Sequence, residues 1–418
     1  MERLFVTGGT RLKGLVTVSG AKNAILPLLA ASLLSESTVV LEGVPSLNDV
    51  ITMKEVLESL GVRVKWKGDT MEVDTSGILS LDVPPSLARR MRASNLVMGP
   101  LLGRFRRFKA SYPGGCTIGS RPMDLHLKGF MALGAVITED HGYVKAEATQ
   151  LRGTEIHLDF PSVGATENII MAAVLAEGTT IIRNAAREPE IVDLQNFLNK
   201  LGARIRGAGL DTIRIDGVRK LGREVTYRVI PDRIETGTFM VAAAITRGEV
   251  LISNTIPEHV EAATAKLREA GVSIREEEDR IIVTGPPTWK ALDIRTMPFP
   301  GFPTDMQPQM MVLLSLAKGT SVITENIFEN RYRHVGELRR MGAQIQIEGR
   351  SAVIKGVPQL TGTVVEATDL RAGAALVLGG LAAENTTVIE GIQHLDRGYE
   401  NLENRLKMLG AQIHRSSV

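Results

Sequence analysis

With 418 residues, 44% of them hydrophobic and 23% charged, the chain has the makeup of a soluble globular protein large enough for two or three domains. A net charge of +2 sets up no global field toward nucleic acid or a membrane surface. A single cysteine excludes an internal disulfide and a thiolate metal site, and with a start that lacks an apolar signal core it points to a reducing cytoplasm. The most apolar stretches, Ala24–Leu34 and Ala372–Ala383, are too short to span a bilayer.

The chain opens with two strands, Glu2–Val6 and Leu15–Val18. From Lys22 a segment follows that is apolar on nearly every face, the pattern of a buried helix. Next come a strand at Thr38–Leu41, a loop, and a helix with a charged outer face, Met53–Leu60. Gly61 ends that helix, and an alternating hairpin runs through Val62–Trp66 and Met71–Val73. The unit then recurs. Further buried helices are expected from near Arg92, Gly164, Ile234, Asp305 and Leu370, with strands at Thr180–Ile182, Val250–Ile252, Ser321–Ile323 and Thr387–Ile389. Each outer helix ends in an apolar residue, then Gly, then Ala or Val. The glycines are 61, 134, 202, 271, 342 and 410, spaced 68 to 73 residues apart. Glycine suits that place because the residue after a helix often turns left-handed.

Six such units are too many for one core. Three plus three predicts two similar α/β domains, residues 20–229 and residues 1–19 with 230–418, joined near Val229-Ile230-Pro231-Asp232. The sixth hairpin, from Ile413 onward, is truncated, so the two opening strands are expected to join the last repeats.

The distinctive polar residues gather at the starts of the buried helices and in the loops before the outer ones. Lys22 and Asn23 open the first buried helix, Arg92 the second, Ser162, Val163 and Gly164 the third, Asp305 the fifth and Arg371 the sixth. Cys116, Glu188, Glu329, Asn330, Arg331, Asp396 and Arg397 fall in the other loops. Helix N-termini offer free N–H groups and a positive dipole end. With Lys22, Arg92, Arg121, Arg371 and Arg397 they suit a strongly anionic small molecule.

Plainer roles stay open for each. Ser162, Thr304 and Asp305 are natural N-caps, and Lys22 and Arg397 are open to reading as solvated surface charges. A free cysteine is most often a small buried hydrophobe. Gly114, Gly115 and Gly119, with Pro113 and Pro122, instead put Cys116 on a shaped loop, and Arg121 favours its thiolate. His126 is open to pairing with Cys116 or to a place inside the helix Met123–Leu133. The basic, aromatic run Arg104–Lys109 reads as a helix-to-strand link rather than a nucleic-acid patch. The seven histidines show no metal-ligand spacing and no Walker-type phosphate loop occurs, so no metal or cofactor is expected.

Seven segments taken together carry a resemblance. They are Ser19–Ala24, Pro113–Pro122, Ser162–Thr166, Ala186–Glu190, Pro231–Gly237, Phe302–Gln307 and Asp396–Glu400. From about Ser19 to Gly410 the chain resembles the UDP-N-acetylglucosamine 1-carboxyvinyltransferases, enolpyruvyl transferases of peptidoglycan synthesis. The resemblance implies an inverted α/β barrel fold. Two domains each hold three similar βαβαββ-type repeats, with buried helices, outer four-stranded sheets and an active site in the cleft between the domains. It implies transfer of the enolpyruvyl group of phosphoenolpyruvate to the 3′-hydroxyl of UDP-N-acetylglucosamine, with phosphate released, by addition and then elimination.

On that footing Asp305 matches the base and Cys116, on a mobile lid, the proton donor to phosphoenolpyruvate. Lys22, Arg121 and Arg397 match residues that hold its phosphate and carboxylate. Asn23, Arg92, Arg121, Pro122, Met123, Asp124, Leu125, Ser162, Val163 and Ile327 match positions around the UDP-sugar, with Gly164 and Arg371 added to the binding set. Covalent inhibition by fosfomycin at Cys116 is implied as well. The chain departs from some members at Asp159-Phe160-Pro161, where they carry a basic residue.

Overall fold

The computed structural model describes residues 2–112, 114, 118 and 123–417. Residues 20–112 with 123–230 form one compact unit, here the first lobe. Residues 2–19 with 231–417 form the second. The main chain therefore leaves the second lobe after Ser19 and returns to it at Pro231.

Each lobe is built on three buried helices. In the first they are Lys22–Ala31, Met98–Phe105 and Val163–Ala173; a short 3-10 turn, Arg92–Val97, leads into the middle one. In the second they are Arg233–Ile245, Gln307–Leu314 and Leu370–Ala382, and all three touch one another. Their Ala, Leu, Ile and Met side chains make one apolar core per lobe. Gly99 and Gly103 let the first lobe's middle helix approach its neighbour closely. A Cβ on Gly99 would lie 2.4 Å from the Asn168 carbonyl oxygen.

The outer helices end as their glycines predict. All six of Gly61, Gly134, Gly202, Gly271, Gly342 and Gly410 are left-handed, with φ between 96° and 111°. A side chain is strained in that region, so the repeated Gly is a backbone requirement.

Each repeat adds one outer sheet, with a parallel strand on one side of the central strand and a hairpin on the other. In the third repeat Glu155–His157 lies parallel to Thr179–Arg183, which pairs antiparallel with Thr212–Asp216. Among the described residues five sheets have four strands; the second, expected to have four as well, has three, Arg107–Ser111, Tyr143–Glu147 and Val136–Asp140. Its fourth place is reduced to a single parallel bridge, Asp82 to Lys109. Pro84 and Pro85 follow at once, and proline cannot donate to a ladder.

The opening strands divide between two sheets. Glu2–Thr7 does complete the sixth, lying antiparallel between Thr386–Glu390 and Gln412–Ser417. Lys13–Thr17 does not join it, contrary to expectation; it lies parallel to Glu249–Ser253 of the fourth repeat. The strand that precedes the fourth buried helix in the chain, Val225–Arg228, is already paired with Val39–Glu42 of the first. Lys13–Thr17 takes the place thus left beside Glu249–Ser253.

Candidate active site

In the first lobe Lys22 is the first residue of its helix and is buried, not a solvated surface charge. Its Nζ lies 3.3 Å from Asp49 Oδ2, and Asp49 is the first-turn acid of the outer helix Asn48–Ser59. Asn23 and Arg92 are half-buried. Ser162 is a true N-cap, its hydroxyl accepting from Ala165 N at 3.4 Å, with Val163 and Gly164 in the first turn. Met123 is buried, Leu125 half-buried, and Asp124 exposed in the first turn of the helix Asp124–Ala132. The basic run serves structure. Arg104 donates to the carbonyls of Leu33 and Ser35, and Arg106 to that of Leu175.

His126 sits inside that last helix and its ring faces Asn168. Nδ1 lies 3.0 Å from Asn168 Nδ2, while Asn168 Oδ1 accepts from Gly99 N. Nδ1 is therefore the acceptor in that pair. Burial, aided by the Arg92 charge, pushes this histidine down from 6.5 to about 4. In the unfolded chain it takes up a proton near pH 6.5 that the folded chain refuses until about pH 4. Stability is thus full above pH 6.5 and falls as pH drops through that window, by about 3 kcal/mol from this group. Urea midpoints at pH 7 and 4.5 should show a smaller difference in His126→Gln than in the unaltered chain. An identical difference would remove His126 as the source.

The same lobe holds a carboxylate cluster. Glu188 precedes the outer helix Pro189–Leu201 and is half-buried. Glu167 is raised well above the usual range by burial, then by the nearby charges of Glu190 and Glu188.

The second lobe carries a charge arrangement around Asp305 whose arginines are buried. Asp305 lies in the 3-10 turn Thr304–Met306, ahead of the buried helix. Arg331 Nη2 donates to its Oδ1 at 2.9 Å, and Arg371 Nε and Nη2 donate to its Oδ2 at 3.2 and 3.0 Å. The arginine side chains are 2% and 1% exposed and Asp305 is 26% exposed. Asp305 thus reaches solvent while its two counter-charges do not. At least three donated bonds thus fix the orientation of the Asp305 carboxylate.

Asp369 caps the helix Leu370–Ala382 by accepting from the N–H of Arg371 and Ala372, which sets where Arg371 starts. The Arg371 guanidinium lies over the Tyr399 ring, 5.4 Å from its centre. Tyr399 Oη meets Thr238 Oγ1 at 2.9 Å and accepts from Gln309 at 3.2 Å, so all three buried helices contribute to this backing. Arg397 ends the turn Ile392–Arg397 and is half-buried, while its neighbour Asp396 is held by Arg415. Ile327 N donates to Glu325 Oε1 at 2.8 Å. Among the described residues no cluster of His, Cys, Asp and Glu is placed to hold a metal, and no helix is long and apolar enough to cross a membrane.

A family model described as EPSP synthase (3-phosphoshikimate 1-carboxyvinyltransferase) matches residues 6–406. A relative named UDP-N-acetylglucosamine 1-carboxyvinyltransferase 1, from Carboxydothermus hydrogenoformans, is 58% identical over 99% of this chain and 98% of its own. One of the same name from Symbiobacterium thermophilum is 59% identical over 99% of this chain and 95% of its own. The chain belongs to the UDP-N-acetylglucosamine 1-carboxyvinyltransferase family. Among solved structures, the enolpyruvyl transferase NikO from Streptomyces tendae matches with a TM-score of 0.90 at 26% identity, covering 100% of this chain and 99% of that one. An EPSP synthase from Acinetobacter baumannii, at TM-score 0.76 and 20% identity over 99% of this chain and 100% of that one, shares the fold. The α/β architecture expected from the resemblance is the observed one.

Of the residues expected to serve this carboxyvinyltransferase, Cys116, Arg121 and Pro122 lie outside the described residues. On either side of the cysteine, Gly114 N donates to Ala88 O at 3.2 Å, and Ile118 O accepts from Asn330 N at 3.0 Å. The structure unites Asp305 and Arg371 directly and sets Lys22 against Asp49. Asp49, Glu325 and Tyr399 were not singled out from sequence. Asp49 carries the ordinary signature of a first-turn acid. Arg331 stood in a loop already marked as distinctive, but nothing local assigned it to Asp305.

Proposed function

We propose that this chain transfers the enolpyruvyl group of phosphoenolpyruvate to the 3′-hydroxyl of UDP-N-acetylglucosamine, releasing phosphate, in the cytoplasm, as the first committed step of peptidoglycan synthesis. The observation that carries the reading is 57–59% identity over nearly the whole chain to relatives that bear this activity in their name.

Asp305 takes the proton of the acceptor hydroxyl as its oxygen bonds to C2 of phosphoenolpyruvate, while Cys116 gives a proton to C3. In the second stage the Cys116 thiolate left by the first takes a proton back from C3, the C2–phosphate oxygen bond breaks and phosphate leaves with that electron pair. Three donated bonds hold the Asp305 carboxylate still, as a positioned base requires. Lys22, Arg121 and Arg397 neutralise the phosphate and carboxylate of phosphoenolpyruvate, while the two-donor edge of Arg371 is engaged with Asp305 and acts through it. Lys22 is pre-positioned for this by Asp49. Asn23, Arg92, the Met123–Leu125 segment, the Ser162–Gly164 helix start and Ile327 receive the UDP-sugar.

Release of phosphate from phosphoenolpyruvate by the pure protein, dependent on UDP-N-acetylglucosamine, tests the reading. Release that depends instead on shikimate 3-phosphate would replace it with the activity for which the matching family model is described. Release with neither would end the enzyme reading.

A further inference from the structure

Glu325 lies just past the strand Thr320–Thr324 and is 1% exposed. Four donors converge on its carboxylate. Oε1 accepts from Thr296 Oγ1 at 2.7 Å, from Ile327 N at 2.8 Å and from Phe328 N at 3.2 Å. Oε2 accepts from Thr304 Oγ1 at 2.9 Å. One carboxylate therefore ties together a strand edge, the loop that carries Ile327, and the residue immediately before Asp305. Thr296 reinforces the loop from the other side, its hydroxyl accepting from Asn326 N at 2.9 Å. Glu325 is itself held, its N–H donating to Arg350 O at 2.8 Å. Three residues beyond Phe328, by way of Glu329 and Asn330, the same loop reaches Arg331, and Arg331 returns to Asp305. The 304–305 turn and the 325–331 loop are thus clamped at two points, by Glu325 through Thr304 and by Arg331 through Asp305.

We propose that Glu325 is a positioning residue that holds the Ile327 loop and the Asp305 turn in one register, so that the sugar-binding backbone and the base stay at a set distance. The inference rests on the roles proposed above for Ile327 and Asp305. The two oxygens have separate tasks. Oε1 shapes the loop and so governs acceptor binding. Oε2 reaches the turn and so governs placement of the base.

The division of labour gives the test. In Thr304→Val only the Oε2 bond is lost. Turnover should fall by roughly 10- to 100-fold, the scale of a small misplacement of a reacting group. Affinity for UDP-N-acetylglucosamine, measured by calorimetry, should stay within about twofold. Glu325→Ala should lose both turnover and affinity. Glu325→Gln keeps an acceptor for the loop N–H groups and should restore affinity to near that of the unaltered protein. Unaltered turnover and affinity in Thr304→Val, or in folded Glu325→Ala, would overturn the proposal. So would equal loss of affinity in Glu325→Gln and Glu325→Ala. Asp305→Asn, measured in parallel, separates the two readings. If it turns over normally, the base assignment fails, while the affinity comparison between Glu325→Gln and Glu325→Ala still decides whether Glu325 shapes the loop.

Discussion

Asp305→Ala is expected to lower turnover by roughly 10²–10⁴-fold, the usual worth of a positioned general base, while UDP-N-acetylglucosamine still binds. The structure adds a second consequence. Arg331 and Arg371 are buried and both direct N–H groups at this one carboxylate. Removing it leaves two buried guanidinium groups without that partner, and breaking a buried pair in this way costs about 3–5 kcal/mol. The loss should be at the lower end, because Asp305 is itself 26% exposed and water can enter. Asp305→Asn restores one acceptor oxygen but turns a donor toward an arginine. It should therefore be as slow as Asp305→Ala and more stable to urea. Full turnover in either folded variant would remove Asp305 from the mechanism.

Cys116→Ala should likewise lose about 10²–10⁴-fold in turnover, as the donor to C3 is gone. Cys116→Asp should keep turnover, because a carboxylic acid can still give that proton. Fosfomycin should alkylate the unaltered protein. The thiolate opens the epoxide, a carbon–sulfur bond forms, and the ring oxygen takes a proton. Mass spectrometry of the treated protein should place the adduct on the peptide that contains Cys116. Cys116→Asp should carry no adduct, since a carboxylate is a poor nucleophile beside a thiolate. A folded Cys116→Asp without activity would refute the proton-donor role, and an adduct elsewhere would refute the reactive assignment.

The repeats were legible because each is announced by a local backbone demand. Gly61 and its five counterparts must be left-handed to end their helices, and that need is independent of distant residues. The buried helices were legible for a similar reason. Val163–Ala173 and Leu370–Ala382 are apolar on almost every face, and such a surface has to be covered. The starts of those helices, where Lys22, Ser162, Asp305 and Arg371 lie, followed from the same pattern.

Strand exchange was not legible in that way. Lys13–Thr17 and Val225–Arg228 each pair with a sheet more than 180 residues away in the chain, and their alternation suits either neighbour. Choice of partner depends on which edge is vacant once the helices have packed. The second sheet was missed as well: four strands were expected, and the described residues give three, with Pro84 and Pro85 beside the place of the fourth.

The amino-acid order alone thus settles the six-fold repeat, the glycine-marked ends of the outer helices and the family, because turn chemistry, periodicity and motif are short-range properties. Other helix starts were less legible, the first outer helix beginning at Asn48 rather than Met53 and the second buried one at Met98 after a 3-10 turn. The order also marks Asp305 and Arg371 as polar residues in apolar surroundings. Only the folded lobe decides that they meet, 66 residues apart, with Arg331 closing on the same carboxylate from 26 residues away. Charges pair through space, and their separation along the chain carries no signal of it. Glu325 is the clearest instance: an ordinary glutamate after a strand by sequence, and by packing the point where four donors from three segments converge.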